Sequence, residues 1–491
     1  MRSLRRASRC IALSAILIIS MAPLAGCPEP TDDDAANKLP LEGVSLQLLV
    51  VDDPALAEAV KKTRGEWKTQ TGSTLEVVEL AEDEFLATDQ SKADAAICAS
   101  YLLGTLAEKQ KIAEIPKAMR TEGQEEWMGI FELSRCHEAI WGTKTLAVPF
   151  GSPVLVCYYR SDLLAELGKQ PPTTWKEYQE LAALLNDRAR LKELAPPAEA
   201  EWSGTMEPLG PGWGGLMLLA RAAPGVQHPD NYSTWFDINT MQPLIDGPPV
   251  VRALMQLVAT AKHGADDQLE ADPAKVREAF WRGQCALAVT WPTSAAGIET
   301  SDGDKPASLS AGVAKLPGSN EHYNVDHRRW EKRERGEEIH IPLLATSGRI
   351  GVVLKESKNR AAAELLLWLS AQKGNPPPAA RSRWTTLFRA SQVSSPNNWV
   401  EAPLAGTAAA TGYAEQTEAT FESQQWTFAL RIPGRREYLA ALDEAVASAV
   451  RGEKAPAAAL RDAAARWREI TLKLGVKRQH AAYLRSLGLE P

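Results

Sequence analysis

Fifteen tryptophans stand against nine tyrosines and eight phenylalanines in this chain, the reverse of what a plain apolar core requires. An indole offers a flat apolar face for stacking and one N–H donor at its edge, so part of this excess could serve to grip a ligand. Bond-breaking chemistry lacks its usual signatures. There is no Gly-x-Ser-x-Gly elbow, no His-Glu-x-x-His helix and no phosphate-cradling loop. Seven histidines are scattered, His137-Glu138 is followed by Trp141 instead of a second ligand at zinc spacing, and no Cys-x-x-Cys occurs. Paired carboxylates of the glycosidase kind leave no local signature. The chain reads as a non-enzyme with no cofactor and no metal.

Charge and targeting set the compartment. Arg2, Arg5, Arg6 and Arg9 precede an apolar run from Ile11 to Leu24, and Leu24-Ala25-Gly26-Cys27 closes it. A basic start, a short apolar core and a small-residue end describe an export signal, too short for a membrane span. Removing residues 1–26 takes away four Arg and no acid, which turns −7 over 491 residues into −11 over 465. No long basic stripe remains, which disfavours nucleic acid as a partner. The acidic run that follows, residues 27–43 with Asp32, Asp33 and Asp34, reads as an extended, self-repelling tether. Cys98, Cys136, Cys157 and Cys285 each sit in or beside an apolar run; export permits three disulfide pairings, and buried free thiols fit equally well.

The elements that must position any site alternate between strand and helix. Residues 44–51 form a β-rich run, Asp53 with Pro54 starts a helix through Leu56, Val60 and Trp67, and Thr71-Gly72 stops it. Residues 74–80 and 93–98 give two more strands, followed by a helix through Leu102, Leu106 and Ile112. This order predicts a parallel α/β sheet with ligands beyond the carboxyl ends of its strands, where Asp52, Asp53, Ser100 and Tyr101 fall. Residues 145–159 read as two strand-like runs broken by Phe150-Gly151-Ser152-Pro153. Helices follow from Ser161 and from Trp175, and the Pro- and Gly-rich residues 196–215 read as loop. Helices at 250–261 and 274–282 lead to a strand at 283–289 ending in Trp291-Pro292. A strand at 312–317 precedes a mixed-charge insert at 318–340, read as a solvated loop or hairpin. A strand at 350–354, a helix at 360–371 and a closing helix pair through Tyr438, Leu442, Leu460 and Trp467 complete the chain. Trp67, Trp281, Trp368 and Trp467 lie at helical apolar spacing and belong to the core, as does Trp175 behind its helix start.

Three stretches resemble the maltose-binding-like family of extracellular solute-binding proteins, the lipid-anchored receptors of ATP-driven importers. One runs from Leu146-Ala147-Val148-Pro149-Phe150-Gly151 through Tyr158-Tyr159-Arg160-Ser161-Asp162 to Pro172-Thr173-Thr174-Trp175. A second runs from Phe280-Trp281-Arg282-Gly283 through Trp291 to Gly312-Val313-Ala314-Lys315-Leu316-Pro317. The third joins Tyr438-Leu439-Ala440-Ala441-Leu442 to Trp467. Leu24-Ala25-Gly26-Cys27 is similar to a bacterial lipobox, which implies acylation of Cys27 and anchoring in a lipid bilayer. The resemblance implies an α/β, two-lobed periplasmic-binding-protein-like fold with interleaved lobes joined by crossing strands. Lobe 1 would hold residues 44–150 and 313–375, and lobe 2 residues 151–312 and 376–491. It implies capture of a small solute, a carbohydrate above all, in the cleft between lobes at the extracytoplasmic face, and delivery to an ABC permease. A sensor or scaffold lipoprotein of the same fold without a transport role is the alternative. Sugar-binding members stack pyranose faces on aromatic rings, which nominates Trp291 first, then Trp213 between glycines, then Trp384 ahead of Arg389, with Tyr101, Ser152, Asp52 and Asp53 as polar contacts. Family members that bind maltose carry an aromatic after the third strand with charged residues beyond it. Cys98, Ser100, Tyr101 and Leu102 stand there in this chain, which points away from maltose itself.

Overall fold

The computed structural model describes residues 39–87, 92–121, 123–191, 196–295, 309–357 and 360–491; the export signal, Cys27 and most of the tether lie outside them. Two sheets organise the chain. The first has the strand order Thr74–Leu80, Ser45–Val51, Ala95–Ala99, Arg349–Val353, Val148–Pro149. Its first three strands are parallel, and Arg349–Val353 runs antiparallel to both of its neighbours. The second has the order Ala311–Lys315, Val156–Arg160, Cys285–Thr290, Ser203–Met206. The chain therefore leaves the first sheet after Pro149 and returns to it at Arg349, so the two α/β lobes are interleaved. Ala311–Lys315 pairs along its whole length with Val156–Arg160 in the second sheet, which moves the return crossing beyond the expected residue 313 to a point after Lys315.

Local chemistry explains the element ends. The Asp53 carboxylate accepts from Leu56 N, Pro54 occupies the first helical turn, and Gly72 closes helix Pro54–Thr71 in the left-handed conformation. Thr174 and Glu177 form a reciprocal capping box on helix Trp175–Asn186. Two expectations for single elements are corrected. Ile112 does not continue the helix begun at Leu103, which ends at Glu108; Gln110 takes a positive φ, and Ile112 then bridges to Leu354 beside the first sheet. Residues 196–215 are not all loop, because Ser203–Met206 completes the second sheet and Gly214 opens helix Gly214–Val226. All thirteen residues of that helix are buried, so it has no polar face and no amphipathic period to betray it. A Cβ at Gly215 would come within 2.8 Å of Leu442, so the glycine allows this helix to pack against Arg435–Val450.

The charged insert forms a hairpin, Glu321–Asn324 with Arg329–Lys332, though His322 and Asn324 on it are buried. Helices Ala408–Phe421 and Val476–Ser486 were not foreseen. The former is rich in Ala and Thr and lacks a clear apolar stripe.

Trp67, Trp175, Trp281 and Trp467 are buried, while Trp368 is half-buried with its ring 5.2 Å from that of Trp67. The four described cysteines are free thiols. Burial pushes Cys98 and Cys285 up to about 12, which keeps them protonated and inert. No helix of the described residues is long and apolar enough to cross a membrane.

Candidate functional site

Trp213, Trp291 and Trp384 come from three distant segments and meet in one cluster. Trp213 and Trp291 have ring centroids 5.5 Å apart, Trp291 and Trp384 6.2 Å, and Trp213 lies 6.4 Å from Trp384 with the rings only 7° from parallel. Trp291 follows the carboxyl end of strand Cys285–Thr290 in the second sheet and is 2% exposed. Its Nε1 donates to Arg383 O at 3.1 Å, and its own carbonyl accepts from Arg277 at 2.8 Å. Trp213 and Trp384 are half-buried. The cluster thus has a buried floor and two rings with free surface, a layout suited to the apolar face of a ring-shaped or polyhydroxylated ligand.

The polar edge belongs to the first sheet. Asp53, just past the carboxyl end of strand Ser45–Val51, accepts from Arg349 Nε at 2.9 Å and from the Ser382 hydroxyl. Both members of the Asp53–Arg349 pair have side chains 4% exposed. Arg349 Nη2 also donates to Asp52 O, and its guanidinium lies 5.9 Å from the Trp384 ring. Ser382 in turn accepts from Trp384 N at 3.1 Å. Asp53 is therefore joined to the tryptophan cluster through two residues, and the site spans the strand ends of both sheets.

The remaining nominated residues are placed as follows. Asp52 is exposed with a positive φ, and its carboxylate accepts from Glu82 N. Tyr101 donates to Glu82 at 2.7 Å and packs its ring 4.1 Å beneath the Arg435 guanidinium; burial first, then the Glu82 charge, push its phenol well up. Arg436, the next residue on the same helix, pairs with Glu82 and Asp83. Because helix Arg435–Val450 packs on Gly214–Val226, these contacts tie first-sheet residues to the Trp213 side of the cluster. Ser152 is buried and donates to Glu138. Arg389 is not brought to the cluster: its guanidinium donates to the carbonyls of Glu125 and Glu126, and burial brings it down to about 10.

Three positioning residues escaped the sequence reading. Arg349 begins an antiparallel strand, so its amino end lies at the carboxyl ends of its neighbours. The fully buried Glu401 carboxylate accepts from Tyr158 Oη, Trp281 Nε1 and Thr293 N, which fixes the loop that follows Trp291. Asp443 accepts from Gly212 N and Gly215 N at 2.8 and 2.7 Å, and so holds the turn that presents Trp213. Each acts on a segment far away in sequence, and no local motif announces such a partner.

Glu138 yields a pH prediction. Burial holds its carboxyl above the ordinary value, against the opposing hydrogen bond from Ser152 and the charge of Arg431. The folded state therefore holds this proton more tightly than the unfolded chain. The associated stability is fully present below about pH 4 and is lost as pH rises through the raised folded value. Glu138→Gln, which mimics the protonated acid, is expected to melt close to wild type at pH 4 and above it at pH 8. Parallel melting curves for the two proteins across that range would refute this assignment.

A family model described as bacterial extracellular solute-binding protein matches residues 51–375. Among curated proteins, none matches. Solved structures similar to this chain include the sugar-binding protein MalE from Xanthomonas citri, with a TM-score of 0.64 at 16% identity over 88% of this chain and 98% of that one. An ABC transporter solute-binding protein from Agrobacterium radiobacter, in complex with ribitol, gives 0.61 at 19% identity over 88% and 99%. The maltose-binding periplasmic protein MalE from Listeria monocytogenes, in complex with maltose, gives 0.58 at 17% identity over 87% and 98%. At these identities the likeness is one of fold.

Proposed function

The chain belongs to the bacterial extracellular solute-binding proteins, a family of binders and not of enzymes, and we propose that within this family it captures a carbohydrate or polyol on the Trp213–Trp291–Trp384 cluster. The observation that carries the reading is the convergence of three tryptophans from three segments beside the buried Asp53–Arg349 pair, at the strand ends of both sheets. Trp213 and Trp384 offer the stacking faces and Trp291 supports them from below, a reversal of the order the sequence suggested. That two of the similar structures hold ribitol and maltose supports the same ligand class. Hinge closure would bring the two lobes, divided after residue 150 and again after Lys315, around the solute and present a closed surface to an ABC permease. Acylated Cys27 would tether the body to a lipid bilayer through the acidic segment that follows it.

Tryptophan fluorescence and calorimetry against mono- and oligosaccharides, ribitol and mannitol test the ligand class. A saturable signal with at least one member is expected; silence across the panel overturns the reading. Cys27→Ala is expected to move the protein from the membrane fraction to the soluble fraction, and retention at the membrane would remove the lipid anchor.

A further inference from the structure

The hairpin of the charged insert has no part in the cleft, yet it carries a cluster of metal-ligating side chains. His322 and Glu331 are directly opposite each other in the antiparallel register, so their side chains leave the same face. His228, two residues beyond helix Gly214–Val226, faces them. The His228 and His322 rings lie 4.3 Å apart, and His228 Nε2 is 3.1 Å from Glu331 Oε2. One ligand atom from each of the three falls within 4.8 Å of the others. Both histidines are buried, and His322 Nδ1 has no hydrogen-bond partner; Glu337 Oε1, at 3.6 Å, stands outside bonding range. A buried nitrogen without a partner is costly unless something else satisfies it.

We propose that His228, His322 and Glu331 form a zinc-class divalent cation site that clasps the hairpin to the end of helix Gly214–Val226. Two imidazoles and one carboxylate are a borderline-soft donor set that suits Zn²⁺ and not Mg²⁺ or Ca²⁺, which take oxygen. Glu331 Oε1 is occupied by Arg329 Nε at 2.7 Å, which leaves Oε2, on the His228 side, for the ion. Asp230 N donates to His228 Nδ1, so without metal the proton sits on Nε2 and is donated to Glu331. Metal binding at Nε2 moves that proton to Nδ1, so the contact from Asp230 N, at 3.0 Å, must open for the site to fill. Asn324 Nδ2, at 3.3 Å from His228 Nε2, is the group that must yield to the ion. The ligands are so far apart in sequence that no zinc spacing is visible. The proposal is independent of the ligand reading of the cleft.

The test is titration of the tag-free, chelator-stripped full chain with zinc chloride, by calorimetry and by competition with a chromophoric chelator. One Zn²⁺ per chain is expected, with a raised melting temperature and no competition from millimolar Mg²⁺. His322→Asn and Glu331→Gln are each expected to weaken binding by more than ~100-fold, since loss of outer-shell partners alone costs ~10–100-fold. His263→Asn, outside the cluster, is expected to bind as wild type. Absence of saturable Zn²⁺ binding overturns the proposal. So does wild-type affinity in either ligand variant, and Glu331→Gln decides the matter if His322→Asn fails to fold.

Discussion

Trp384→Ala is expected to weaken carbohydrate or polyol binding by ~30-fold, about 2 kcal/mol, the scale of a well-placed aromatic anchor. Its ring is half-buried, lies nearly parallel to that of Trp213, and carries the Arg383 guanidinium 4.9 Å from its centroid. Truncation therefore removes a stacking face more than it opens a core. Trp291→Ala should behave differently. That side chain is among the largest fully buried ones, and its loss is expected to cost about 3–5 kcal/mol of stability. It also removes the Nε1 bond to Arg383 O, which steadies the segment bearing Trp384. Binding and stability should fall together in Trp291→Ala, whereas in Trp384→Ala binding should fall with a smaller shift in melting. Calorimetry with the best ligand of the panel, alongside thermal unfolding, separates the two. An unchanged Kd in both Trp384→Ala and Trp213→Ala would put the ligand elsewhere.

What could be read beforehand was what short-range physics writes into adjacent residues. Asp53-Pro54 and Thr71-Gly72 bound a helix because cap and stop chemistry act within three or four residues, and strand Thr74–Leu80 has the predicted ends. Gly212 and Gly214 on either side nominate Trp213, and its place at a strand end nominates Trp291. Their meeting leaves no such signal, since it depends on the crossings that interleave the two sheets. Helix Gly214–Val226 escaped for the opposite reason: complete burial erased the polar face that reveals a helix. Arg389 was nominated from its nearness to Trp384, but the backbone between them carries its guanidinium to the carbonyls of Glu125 and Glu126. Glu401 and Asp443 show the general limit, because their work is done on loops brought near only by the complete fold.

The second large effect concerns the Asp53–Arg349 pair, which joins the strand ends of the first sheet to the tryptophans. Asp53→Ala removes the helix cap at Leu56 N, worth ~1 kcal/mol. It also leaves the Arg349 guanidinium buried with only the carbonyls of Asp52 and Gly348 as acceptors. Breaking a buried pair from one side typically costs ~3–5 kcal/mol, so Asp53→Ala is expected to lose about 4 kcal/mol or more in denaturant unfolding. Asp53→Asn keeps a capping oxygen and should separate the cap from the charge. Arg349→Met removes the cation, and Asp53→Asn with Arg349→Met should be less damaging than the sum of the singles by ~2 kcal/mol. Additive losses would show that the pair is not coupled. The same cycle bears on function, because Ser382 bonds both Asp53 and Trp384 N, and Arg349 lies beside the Trp384 ring. If the pair sets that ring's position, Asp53→Asn should weaken the ligand several-fold even under conditions where the variant is fully folded. A Kd equal to wild type there would confine the pair to stability and leave Trp384 positioned by Trp213 and Trp291 alone.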